Sequence, residues 1–102
     1  MAGPWSIAHN RPGPRWVAGL GPREQPLWDE HAAFIDELAD RGELVLGGPY
    51  EDWSGSILLF ALPVAEVRAM LRSDPWIAEG VLAEPDVRPW LVWVDPRGLS
   101  AL

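Results

Sequence analysis

Between residues 27 and 38 the apolar positions recur at helical spacing. At 100° per residue Leu27, Trp28, His31, Phe34, Ile35 and Leu38 share one face. Asp29, Asp36 and Asp40 lie opposite, and Glu30 and Glu37 flank them. This pattern predicts an amphipathic helix that opens near Pro26, a residue suited to a first turn, and stops at Gly42, a left-handed cap. Before it, residues 5–10 set Trp5, Ile7 and His9 against Ser6, Ala8 and Asn10, as a half-buried strand does. His9 then either reaches an internal site or ends the strand near solvent. After the helix, residues 43–46 read as a strand broken by Gly47-Gly48-Pro49, whose glycines suit a bulge or a close approach to the backbone. Residues 56–61 form a nearly continuous apolar strand, and Pro63 opens a second helix over 64–72. Asp74-Pro75-Trp76 starts a short helical turn that ends at Gly80. Strand-like residues 81–83 and 87–94 follow, divided by Pro85 and Pro89.

The order β-α-β-β-α-β is that of an α+β, ferredoxin-like sheet with two helices on one face. Residues 57–60 and 91–94 are apolar at consecutive positions, so both faces of those strands call for cover. A second copy packing sheet to sheet would supply it, and a homodimer is expected. The chain, 1–102, is expected to form a single domain. Residues 11–25 hold Pro12, Pro14, Pro22 and three glycines, which exclude a helix or central strand. Trp16, Val17 and Leu20 would let this long loop fold back as a lid, or anchor it as a surface loop. Residues 95–102 read as a tail.

Charge narrows the partners. The net charge is −7 and all the basic residues are Arg, a balance that argues against a nucleic-acid backbone. No apolar run is long enough for a membrane span, and the start has no secretory pattern. With no Cys there is neither a thiolate nucleophile nor a Cys-based zinc site, and a cytoplasmic setting fits. Two His without Cys make no recognisable metal site, and no Rossmann fingerprint, phosphate loop or Gly-x-Ser-x-Gly elbow occurs. No cofactor or metal is therefore expected. Seven Trp is a high count for this length, and Trp28, Phe34, Trp53, Trp76 and Trp90 could line an apolar pocket as readily as fill a core.

His31 sits at the centre of the apolar stripe. A buried imidazole must find a partner or open into a cavity, because an unpaired buried polar group is costly. An imidazole also gives and takes protons near neutral pH, which makes His31 the candidate acid–base group. Asp74, before Pro75, suits a helix N-cap.

Several stretches together resemble the YCII-related (YciI-like) family of the dimeric α+β barrel superfamily. They are Pro22-Arg-Glu-Gln-Pro26, Trp28-Asp-Glu-His31-Ala-Ala-Phe34, Gly42, Gly47-Gly48-Pro49, Asp74-Pro75-Trp76 and Gly80. The long 11–25 loop departs from the shorter members. The resemblance implies a fold similar to muconolactone isomerases, in which sheets of two subunits form a dimeric α/β barrel. It also implies a His–Asp active-site pair, carried here by His31 and Asp74, with the carboxylate orienting the ring. Some members resemble dehydrochlorinases of chlorinated hydroquinones. The resulting expectation is a cofactor-independent acid–base enzyme, of isomerase, lyase or cyclase type. It would act on a small cyclic or aromatic substrate, with His9, Trp28, Phe34 and Trp76 in contact with it. A non-catalytic binding or structural dimer module is the alternative, and a cofactor-free monooxygenase a further one.

Overall fold

The computed structural model describes residues 4–99, so the last three residues of the expected 95–102 tail lie outside the described residues. Four strands, β1 (Ser6–Asn10), β2 (Leu44–Pro49), β3 (Ser56–Phe60) and β4 (Asp86–Pro89), form one sheet in the order β2-β3-β1-β4. All three pairings are antiparallel. Helices α1 (Trp28–Asp40), α2 (Val64–Leu71) and α3 (Pro75–Ala78) complete the α+β, ferredoxin-like architecture. No helix among the described residues is long and apolar enough to cross a membrane.

The main core lies between one sheet face and the helices. Ala8, Leu44, Leu58, Phe60 and Val87 from the strands meet Leu38 of α1 and Val67 and Leu71 of α2. The β1 alternation is as read, but its buried side is the small one. Ser6, Ala8 and Asn10 are buried, whereas Ile7 and His9 are only half-buried. Small side chains let the helices approach the sheet closely, and the Ser6 hydroxyl is satisfied by the Leu62 carbonyl at 2.6 Å. His9 therefore faces away from the helices, which decides against the inward reach that was one of its two readings and against its expected contact with a substrate.

Other boundaries shift for identifiable reasons. Gly47 and Gly48 do not break β2, which continues to Pro49 after a register shift between Leu44 and Leu46. It is an edge strand, where glycine and proline are tolerated. A Cβ on Gly47 would come within 2.6 Å of the Leu58 side chain, so the close approach to the backbone is real. The expected strand over 87–94 ends at Pro89. Trp90 donates one last bond to the Trp5 carbonyl, and Leu91, Trp93 and Val94 then lie exposed. Residues 81–83 contribute a single bridge, Pro12 to Leu82, rather than a strand.

Gly42 does end α1 as expected. It has φ 79°, and its N–H and that of Glu43 return to the carbonyls of Ala39 and Leu38, which closes a left-handed C-cap. The 11–25 loop is pinned rather than free. Buried Gln25 accepts from the Val17 N–H at 2.8 Å and donates to the carbonyls of Val17 and Leu20 at 2.9 and 3.0 Å.

Nothing lies within 4 Å of a Cβ built on Gly42, so Gly42→Ala tests backbone strain alone. It is expected to cost ~1 kcal/mol and lower Tm by roughly 4–8 °C, read by thermal denaturation, whereas Gly42→Asn should cost less. Gln25→Leu keeps the volume but removes all three loop bonds. Limited chymotrypsin digestion should then cut after Trp16 or Leu20 in the variant and leave the unmodified protein intact there.

Candidate active site

A second, smaller cluster of Trp76, Val81 and Leu82 packs beside the aliphatic core, with Trp16, Leu27, Trp28 and Ile77 against it. It assembles the site. The Trp76 indole N–H donates to the Pro26 carbonyl at 2.7 Å, and Leu27 adopts a left-handed backbone with φ 62°. α1 therefore starts at Trp28 rather than Pro26, and the His31 N–H closes its first turn on the Leu27 carbonyl at 3.0 Å. A left-handed leucine costs on the order of 1–2 kcal/mol and persists because the surrounding contacts hold it.

Asp74 caps α3 as its position before Pro75 suggests. Its Oδ1 accepts from the Trp76 backbone N–H at 2.9 Å. The same carboxylate meets α1, since His31 Nδ1 lies 2.9 Å from both Oδ1 and Oδ2. The Asp74 side chain is 2% exposed and that of His31 13%. With Nδ1–H donating to the carboxylate, the ring is held in the tautomer whose Nε2 carries the free lone pair. Trp76 also stacks on the His31 ring, with centroids 3.8 Å apart and planes 7° from parallel. Trp28 tilts against both rings, and Trp16 meets Trp76 edge-on at 5.7 Å.

His31, Trp28 and Trp76 line a cavity of about 660 Å³, within the range of small-molecule sites. Its other walls are the 11–25 loop, through Trp16 and Pro22, and the bare backbone of Gly47 and Gly48. Leu58, Ser56 and Asn10 face it from the sheet. Trp53, from the turn between β2 and β3, completes the enclosure in a second left-handed conformation with φ 61°. Its ring approaches Gly21 so closely that a Cβ there would stand 2.9 Å away. The turn is tied by Asp52, whose Oδ1 accepts from the Ser54 N–H at 3.0 Å. Hydrogen bonds from the Ser54 side chain and then its backbone lower the Asp52 carboxyl from its ordinary value.

Four of the six residues expected to carry the chemistry or touch a substrate thus converge: His31, Asp74, Trp28 and Trp76. The other two lie elsewhere. His9 stands on the opposite sheet face, its Nε2 3.2 Å from the Tyr50 hydroxyl. Phe34 packs against the aliphatic core, because the wide apolar stripe of α1 serves both the core and the cavity. Asn10 was not singled out, although the β1 alternation places it on the buried side with Ser6 and Ala8. Among the described residues no group of three or more His, Asp or Glu is arranged to hold a metal ion.

No curated protein matches the sequence. Among solved structures, the chain is similar to 5-chloro-2-hydroxyhydroquinone dehydrochlorinase (TftG) from Burkholderia phenoliruptrix AC1100, determined in complex with 2,5-dihydroxybenzoquinone. The two are 24% identical with a TM-score of 0.56, over 84% of this chain and 93% of that one, which shows a shared fold. The YCII-related domain profile matches residues 7–91, and the protein belongs to that family.

Proposed function

We propose that this protein is a cofactor-independent acid–base enzyme of the lyase type, acting on a small hydroxylated ring, with His31 as the proton-transfer group. The observation that carries the reading is the His31–Asp74 pair, which borders an aromatic-walled cavity with its Nδ1 side already engaged. Asp74 orients the ring, and Trp28 and Trp76 supply apolar wall. TftG, by its name, removes chloride from a chlorinated trihydroxybenzene, and the molecule bound to it is a single planar ring. A ring of that size has room here.

Loss of HCl from such a ring requires only proton transfers. Nε2 of His31 takes the proton from the hydroxyl ortho to the chlorine-bearing carbon, and the imidazolium returns it to that carbon, making a ketone. The proton of the para hydroxyl then leaves, its electron pair forms the second carbonyl, and the π bond shifts to expel chloride with the C–Cl pair. The sum is a hydroxyquinone plus HCl, with no external oxidant or reductant. One imidazole can serve as base and then acid in this sequence, which is why a single orienting carboxylate suffices.

A homodimer is part of the same reading. Ile7, Ile57 and Leu59 lie on the sheet face opposite the helices, and Leu91, Trp93 and Val94 extend exposed beyond it, Trp93 at 85%. A second copy laid on that face would bury this apolar surface.

Chloride release from 5-chloro-2-hydroxyhydroquinone tests the reaction. His31→Ala is expected to lower kcat/KM by about 10²–10⁴ while circular dichroism stays unchanged. Asp74→Asn should keep the cap, because asparagine is also a good N-cap, yet lower the rate. A pair that is only structural would instead lower Tm in both variants and leave turnover intact. Light scattering at micromolar concentration should give about twice the 11.3 kDa chain mass, and a monomer would refute the dimer.

A further inference from the structure

The proton-transfer pair leaves one buried polar group of the cavity unexplained. Asn10, the last residue of β1, is 3% exposed and lines the cavity, as does its register partner Ser56. Its Nδ2 donates to the Ser56 hydroxyl at 3.3 Å. Its Oδ1 is buried and has no hydrogen-bond partner among the described residues. Buried acceptors without partners are rare in folded proteins, since their lost hydration is not replaced. The neighbours of Asn10 on the same strand face show the usual solutions: Ala8 brings no polar group, and Ser6 is bonded to the Leu62 carbonyl.

Position sharpens the point. Asn10 comes from the sheet, whereas His31 comes from α1, so the two polar groups approach the cavity from different layers of the fold. The same cavity is lined by apolar and aromatic side chains, including Trp28, Ile35 and Leu58. A ligand held only by those walls could slide and rotate in its plane. One polar contact at the sheet in addition to His31 would define its orientation.

We infer that Asn10 is the specificity-determining residue of this cavity, its Oδ1 accepting a hydrogen bond from a ring hydroxyl or N–H of the ligand while its Nδ2 stays on the Ser56 hydroxyl. The inference rests on the reading of the cavity as a ligand site, and it assigns a positioning role without any part in proton transfer. A ligand of the same shape without a donor leaves the acceptor unpaired and is rejected for that reason. Asparagine here selects for donors.

The test uses two ring probes of nearly equal size, hydroquinone and 1,4-difluorobenzene, titrated into the full-length protein. Binding is read from the Trp indole resonances in every variant, and also from the Asn10 side-chain amide in the unmodified protein. The unmodified protein is expected to bind hydroquinone at least about tenfold more tightly than the fluorinated ring. Asn10→Leu, close in shape and without an acceptor, should reduce that preference by about tenfold and leave 1,4-difluorobenzene binding as tight or tighter. Asn10→Asp retains the acceptor oxygens and should keep the preference for hydroquinone; this second variant decides the matter should the leucine variant fail to fold. A folded Asn10→Leu protein with undiminished preference, or an Asn10→Asp protein that has lost it, overturns the assignment and leaves the proposed activity untouched. If neither ring binds the unmodified protein, the ligand-site reading falls, and this inference with it.

Discussion

A buried carboxylate is the constraint on which the site depends. At 2% side-chain exposure, Asp74 cannot keep its hydration, so it requires donors from the protein. One is the Trp76 backbone N–H, which starts α3, and the other is His31 Nδ1, which reaches across from α1. Satisfying the carboxylate thus joins two helices 43 residues apart in sequence and fixes the imidazole tautomer. Trp76 strengthens the same junction in two further ways. Its ring lies flat on His31, and its indole N–H holds the Pro26 carbonyl ahead of α1. A structural pair and a chemical pair are therefore not competing descriptions here. The rigidity that a buried carboxylate demands is what a proton-transfer group needs, because the free nitrogen must stay in place between turnovers.

The fold divides its labour between two clusters. Aliphatic residues fill the space between sheet and helices, where Phe60, Leu38, Leu71 and Val67 are almost wholly buried. Trp16, Trp28, Trp53 and Trp76 gather instead at one end, where their large surfaces line a cavity. Among the described residues the left-handed non-glycine positions are Leu27 and Trp53; Trp53 lines that cavity, and Leu27 immediately precedes Trp28, which does too. Strain of this kind survives where the rest of the domain over-determines the conformation, and the aliphatic core supplies the surplus. Gln25 plays the matching part in the loop, turning a Pro/Gly-rich segment into a fixed wall.

Features set by local chemistry were legible in the sequence. The stripe of α1, its stop at Gly42, the β3 run and the cap at Asp74 all follow from neighbours within one or two turns. Features decided by distant neighbours were not. Gly47 and Gly48 read as breakers but lie on an edge strand, where one pairing partner and the nearby Leu58 side chain make them acceptable. Residues 90–94 read as strand by composition, yet their pairing with the β1 side of the sheet stops at the Trp90 bond to the Trp5 carbonyl. The direction of His31 was legible from helical periodicity, whereas its meeting with Asp74 rested on the family resemblance, since no spacing rule connects them. Which of its two readings held for His9 was not legible either, since size does not say which strand face the helices pack on, and here they pack on the small residues.

The composition of the cavity bounds the chemistry it can support. Its walls are mainly carbon, and the pair offers a place for a proton but little to hold a negative charge that develops on the substrate. An oxyanion formed there without donors would be severely destabilised by the low polarity. Arg23, in the short turn Pro22–Glu24, places a guanidinium at the cavity, although it is itself exposed and screened by water. On the proposed reading, the remaining resource is the substrate. A hydroxylated ring spreads the charge of a departing proton over its own π system, and a halide carries the final negative charge away. Simple ketones or alcohols have no such internal relief, and a site of this composition would leave them unreacted. On the proposed reading, the scarcity of polar groups around His31 is therefore a selective feature, since it confines the enzyme to substrates that bring their own electron sink.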